Sequence, residues 1–110
     1  MAEIVMLLAF GPDRPEGDLS DRLELSARLT AQGRLDEGVA VWRRMLPDAR
    51  LVSGELVRTE AGWALRGKAG EDAPLWDFEA GVLRPGEYAT LRPPGGEALV
   101  FRVVDVQPDQ

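Results

Sequence analysis

The residues whose types and spacing best suit chemistry lie between Trp76 and Tyr88. Asp77 and Glu79 flank Phe78 on one strand face beside Trp76, and two carboxylates on one face can divide acid and base roles when burial separates their pKa values. With Arg84 and Tyr88 they form a candidate binding set on a concave β face: Trp76, Asp77, Glu79, Arg84 and Tyr88. A plainer account competes with this one. Alternate residues of a half-exposed strand are ordinarily polar, so the pair needs no chemistry to explain it.

The remaining inventory narrows the chemistry. The chain has no histidine and no cysteine, which removes disulfides, imidazole and thiolate metal ligands, serine–histidine or cysteine nucleophile pairs and histidine proton shuttles. Carboxylates, twelve arginines, the single lysine Lys68, Tyr88 and a few hydroxyls are left. Such groups bind more readily than they catalyse. No catalytic residue, metal site or cofactor is assigned, and the chain is read as a binding domain rather than an enzyme.

Other motifs are weaker. Gly62 to Ala69 matches the phosphate-loop spacing G-x-x-x-x-G-K, but Ala69 stands where a magnesium-binding Ser or Thr is required, and the intervening residues read as a strand rather than a loop opening a helix. Asp13, Glu16, Asp18 and Asp21 suggest a hard-cation loop, yet their spacing is not that of an EF-hand, and a solvated polar loop accounts for them. Lys68 among glycines reads as an exposed lysine rather than an imine former. Trp42, Trp63 and Trp76 would make a contact platform if clustered on the surface and packing if spread through the core; the core reading is preferred.

Several elements must position these residues. Glu3 to Phe10 is a short apolar run ended by Gly11, Pro12 and Pro15, and reads as a strand covered on both faces. Arg22 to Gln32 alternates Leu23, Leu25, Ala27, Leu29 and Ala31 with polar residues, the period of a strand. From Asp36 the pattern shifts. An aspartate cap, Glu37, and Val39, Trp42, Met45 and Leu46 at helical spacing, ending at Pro47, predict a short helix over 36–46. Leu51–Thr59 and Trp63–Arg66 read as a hairpin, Leu75–Glu79 as a short strand, and Glu87–Arg92 with Ala98–Val106 as a second hairpin. Both faces of the last strand are apolar, placing it centrally between the helix and another β layer.

A rival exists for part of this. Leu25 to Ala49, with Gly33 at a turn and Gly38 and Trp42 at packing positions, resembles one tetratricopeptide helix pair. That resemblance implies a helical-repeat adaptor if 22–46 is helical. It departs from the pattern at Gly38 and lacks a second copy to stack against.

These readings predict a single β-rich α+β domain over 1–110, with about six strands in a curled sheet, sandwich or small barrel and one helix across it. The expected core is Ile4, Val5, Leu7, Leu8, Leu23, Leu25, Leu29, Val39, Trp42, Leu56, Trp63, Leu65, Leu91, Leu99, Phe101, Val103 and Val104. A net charge of −6 with scattered arginines argues against nucleic acid. The N-terminal run carries Glu3 and is too short for a signal or a membrane span, so a cytoplasmic protein without membrane attachment is expected. The function expected is protein interaction, with a protein partner or a second copy meeting a sheet edge. The alternative is a small-molecule-binding β domain or weak carboxylate-based enzyme, favoured if a deep apolar pocket is present.

Overall fold

In a computed structural model, which describes residues 1–67 and 74–108, the chain forms a closed antiparallel barrel of eight strands. These are β1 (Ala2–Phe10), β2 (Asp18–Ala27), β3 (Val41–Met45), β4 (Leu51–Thr59), β5 (Gly62–Gly67), β6 (Trp76–Ala80), β7 (Tyr88–Arg92) and β8 (Leu99–Gln107). Each pairs with its neighbours in sequence, and β8 returns to β1 through Met6 opposite Val103 and Leu8 opposite Phe101. The β-rich expectation therefore stands, but the α+β assignment with about six strands does not. The fold is all-β, and no helix occurs among the described residues.

Closure follows from the alternation of side chains along each strand, which puts residues i and i+2 on one face. Ile4, Met6 and Leu8 of β1, Leu23, Leu25 and Ala27 of β2, and Phe101 and Val103 of β8 are all buried. Their outward neighbours include Arg22, Glu24, Arg43, Glu55 and Arg102. One apolar face can be hidden only against another layer or against itself, and a barrel does the second. A charged outer wall around an apolar interior reverses the arrangement of a transmembrane barrel. No helix of the described chain is long and apolar enough to cross a membrane.

Curvature is localised. The β1 register shifts between Leu7 and Leu8 against β2, and between Val5 and Met6 against β8, the irregularities by which a strand bends and twists more sharply. Gly54 faces Gly67 across β4 and β5. A Cβ at Gly54 would lie 1.9 Å from the Arg66 carbonyl oxygen, so the sheet can fold this tightly only where residue 54 lacks a side chain.

The predicted helix over 36–46 is replaced by a loop and β3. The helical stripe fails because Val39 is 77% exposed, while Ala40, Trp42 and Arg44 point inward with period two. A charged residue in an inward position hid that alternation. The strand reading of Arg22–Gln32 holds through Ala27; beyond it Leu29 makes only an isolated bridge to Leu35. With strands on both sides of 28–40, the helix pair suggested by the tetratricopeptide resemblance is absent, and the helical-repeat adaptor falls with it.

Two further expectations change. The strands predicted to be covered on both faces are covered on one: Val5 and Leu7 are half-buried on the outer wall, and Val104 there is exposed. Because β1 pairs with β8, the described strands leave no open edge for the edge-to-edge association expected of a partner or second copy. The two ends of the barrel differ. At one end Leu35 and Leu83 are buried, and the Leu83 N–H donates to Gly33 O at 2.8 Å, so loop residues plug the opening. The other end holds a cavity.

Candidate functional site

The cavity occupies about 270 Å³ at the end where β3 and β7 finish and β4 and β6 begin. Trp42, Val52, Leu65, Trp76 and Leu91 line it, and Arg44 is the charged side chain in its wall. Every one of these lies on the inward row of its strand. Leu65 pairs with Trp76, and Val52 with Arg44. The Trp42 indole is pinned, its Nε1 donating to Arg66 O at 3.1 Å, so that its ring presents apolar surface.

Beneath the mouth lies a buried ion cluster. Asp21 is fully buried, and its Oδ1 and Oδ2 accept from Arg44 Nε at 2.9 Å and Nη2 at 2.8 Å. This is the bidentate fork that guanidinium and carboxylate groups favour. Arg44 also lies over the Phe101 ring, 5.6 Å from its centre. Asp21 Oδ2 accepts a third bond from Arg14 Nη2 at 3.0 Å, and Arg14 Nη1 reaches Asp18 Oδ2 at 3.2 Å.

The β1–β2 loop carries Arg14 into place. Gly11 and Arg14 exchange backbone hydrogen bonds of 3.0 Å, and the Gly17 N–H donates to Arg14 O at 2.9 Å. Gly17 has φ of 81°, and a Cβ there would stand 2.4 Å from Leu8 O, so the loop closes on a glycine that no other residue can replace without strain. Burial acts to lower the Arg14 pKa, but its hydrogen bonds to Asp18 and Asp21 and their charges outweigh this and hold the guanidinium above its ordinary value. The hydroxyl and backbone N–H of Ser20, joined by Arg14, hold the Asp18 carboxyl below its ordinary value against the opposing effect of burial.

Two guanidiniums therefore share one fully buried carboxylate, while Asp18 attends Arg14 on the solvent side. Burial of charge is tolerated only where it is paired and hydrogen-bonded. On Arg44, Nη1 has no hydrogen-bond partner among the described residues, although the side chain is only 10% exposed and borders the cavity. The arrangement can hold an apolar molecule and offer it one positive group.

Of the five candidate residues, the structure brings only Trp76 to this cavity. Asp77 and Glu79 point outward on β6; Asp77 faces Arg92 across the sheet, and Glu79 lies 4.0 Å from the Arg92 guanidinium. Arg84 contacts Glu87 at 3.3 Å in the β6–β7 connection, and Tyr88 is 57% exposed near the plugged end. The three tryptophans share the interior rather than one surface platform, Trp42 and Trp76 at the mouth and Trp63 further along with Arg58 5.1 Å over its ring. Gly62–Gly67 of the phosphate-loop-like motif is strand β5; Lys68 and Ala69 lie outside the described residues.

Sequence reasoning placed Asp21 in a solvated acidic loop and overlooked Arg44 and Arg14. Among the described residues no group of three or more acidic side chains is arranged to hold a metal. A signal was present: Asp21 opens the inward row completed by Leu23, Leu25 and Ala27, and Arg44 ends the row of Ala40 and Trp42. A charge of each sign at the end of an inward row marks a barrel mouth once both rows are seen as strands. Compared with known proteins, the chain matches no family model, no curated protein and no solved structure.

Proposed function

We propose that this chain is a binding protein that holds one small, largely apolar molecule in the mouth of its barrel. One observation carries the reading. The barrel is packed through its middle, yet keeps a 270 Å³ cavity at one end, walled by two indoles and aliphatic side chains over a buried arginine, whereas the hollow of about 290 Å³ at the other end, beside Ala2, Leu29, Gly33 and Pro108, has no aromatic wall. An eight-stranded barrel is just wide enough for its interior to fill with side chains or to hold one small ligand. Stability alone would favour filling the space, because unfilled volume forfeits packing contacts.

The test is titration of neutral aromatic probes, indole and naphthalene, followed by the indole N–H resonances of Trp42 and Trp76. Saturable one-to-one binding is expected, with both resonances moving, and Val52→Trp is expected to block it by filling the mouth from its rim. Absence of any saturable shift would refute the reading.

A specific observation favours a second reading. Met45, Leu51, Val52 and Leu75 are exposed apolar residues at or beside the same rim, and exposed apolar surface marks contact sites. In that reading a protein partner inserts an apolar side chain into the mouth. Burial of Leu51 and Leu75 on adding partner protein, read by hydrogen exchange or cross-linking, would support it.

A further inference from the structure

We infer that the molecule held in the mouth is an aromatic monocarboxylate whose carboxylate pairs with Arg44, an inference that rests on the binding function proposed above. Size sets the first limit. A cavity of roughly 150 Å³ accommodates benzene, and pockets for drug-sized ligands begin near 300 Å³. At about 270 Å³ this one suits one or two fused rings with a short substituent. Trp42 and Trp76 offer flat apolar faces, and the Trp42 ring is held by its bond to Arg66 O, so little conformational freedom is lost when a flat molecule binds.

Charge sets the second limit. Arg44 spends Nε and Nη2 on Asp21, which also accepts from Arg14, while Asp18 supplies Arg14 with a second carboxylate. Of its five N–H groups the two on Nη1 have no hydrogen-bond partner among the described residues, on a side chain nine-tenths buried beside an apolar cavity. A guanidinium set in an apolar wall with unspent N–H groups favours an anion, and it disfavours an amine of the same shape. A carboxylate fits the single guanidinium of this apolar wall better than a phosphate dianion, whose second charge would find no further cation among the described lining residues. Phe101 lies against the guanidinium, which leaves an in-plane approach to Nη1.

The experiment compares 2-naphthoate with its neutral isostere 2-naphthamide on the intact chain by calorimetry, with the indole resonances reporting position. Naphthoate should bind one-to-one about ten- to a hundredfold more tightly than the amide, the range a hydrogen bond to a charged group supplies. It should move the Trp42 and Trp76 signals and leave Tyr88, near the opposite end, unchanged. In Asp21→Leu/Arg44→Met, which removes the ion pair as a unit, the preference should vanish while the amide still binds. Arg44→Lys, which keeps the charge but loses the fork, should reduce it partially. Equal affinities of the two probes for the unmodified protein would overturn the carboxylate assignment and leave the apolar site standing. Failure of both to bind would overturn the assignment together with the function beneath it.

Discussion

Substituting the two halves of the buried ion pair separately and together gives the sharpest test of how the mouth is built. Asp21 is fully buried and accepts three of the cluster's hydrogen bonds, two from Arg44 and one from Arg14. Asp21→Leu leaves the Arg44 guanidinium buried with no counter-charge. Removing one partner of a buried pair costs about 3–5 kcal/mol, and nothing near Arg44 replaces Asp21, so the upper part of that range is expected. Arg44→Met leaves Asp21 with Arg14 at 3.0 Å, which places its cost near about 3 kcal/mol. The double variant Asp21→Leu/Arg44→Met extends an apolar wall already made of Trp42, Leu65 and Leu91. It should fall within about 1 kcal/mol of the original protein or exceed its stability, since buried pairs replaced whole by apolar residues are often neutral or better. With a urea m-value of about 2 kcal/mol per molar, the Asp21→Leu midpoint drops by about 2 M and the double variant recovers nearly all of it. Urea unfolding of the four proteins at pH 7, followed by tryptophan fluorescence, measures the cycle. A double variant destabilised by the sum of the singles to within about 0.5 kcal/mol would show the two side chains to be independent and would refute the reasoning.

Three other perturbations follow from particular contacts. Gly54→Ala puts a Cβ 1.9 Å from Arg66 O and must separate β4 from β5, where Trp42 is also anchored, so it should lower stability by about 1–3 kcal/mol or more in thermal unfolding; an unchanged melting temperature would contradict the tight fold of the sheet there. Phe78→Ala, at a site 2% exposed, should cost about 3–5 kcal/mol in urea. At Glu24 burial acts to raise the carboxyl's pKa, but hydrogen bonds from Arg43 and Arg22 together outweigh it and hold the folded value below the ordinary 4.5. A depressed folded pKa contributes stability above the unfolded value that is lost as pH falls through the folded one, so Glu24→Gln should be less stable than the original at pH 7, with the gap narrowing as the pH falls below 4.5; a gap that stays constant with pH would count against this.

Much of the fold was legible in the chain. Strand β1, the β4–β5 hairpin and β8 were placed within a residue or two, because each combines an apolar or alternating run with Gly or Pro punctuation, and both signals are local. β3 was misread for the same reason in reverse. Val39, Trp42, Met45 and Leu46 happen to recur at helical spacing, and the true inward row of Ala40, Trp42 and Arg44 carries a charge that alternation rules treat as outward. The site suffered from the same cause. The carboxylates that looked poised for chemistry, Asp77 and Glu79, face out from the wall, whereas Asp21, assigned to a solvated loop, is fully buried.

The residues by themselves determined a β-rich chain whose chemistry excludes imidazole and thiolate mechanisms, since composition and strand periodicity need no knowledge of neighbours. Tertiary structure decided the closure of β8 onto β1 and the meeting of Asp21 with Arg44 from strands 23 positions apart. It also decided that Trp42 and Trp76 would share one cavity at the end opposite Leu35 and Leu83. Register and closure are properties of pairs of strands, and a charged side chain points inward only when a partner of opposite sign, supplied by another strand, offsets its desolvation.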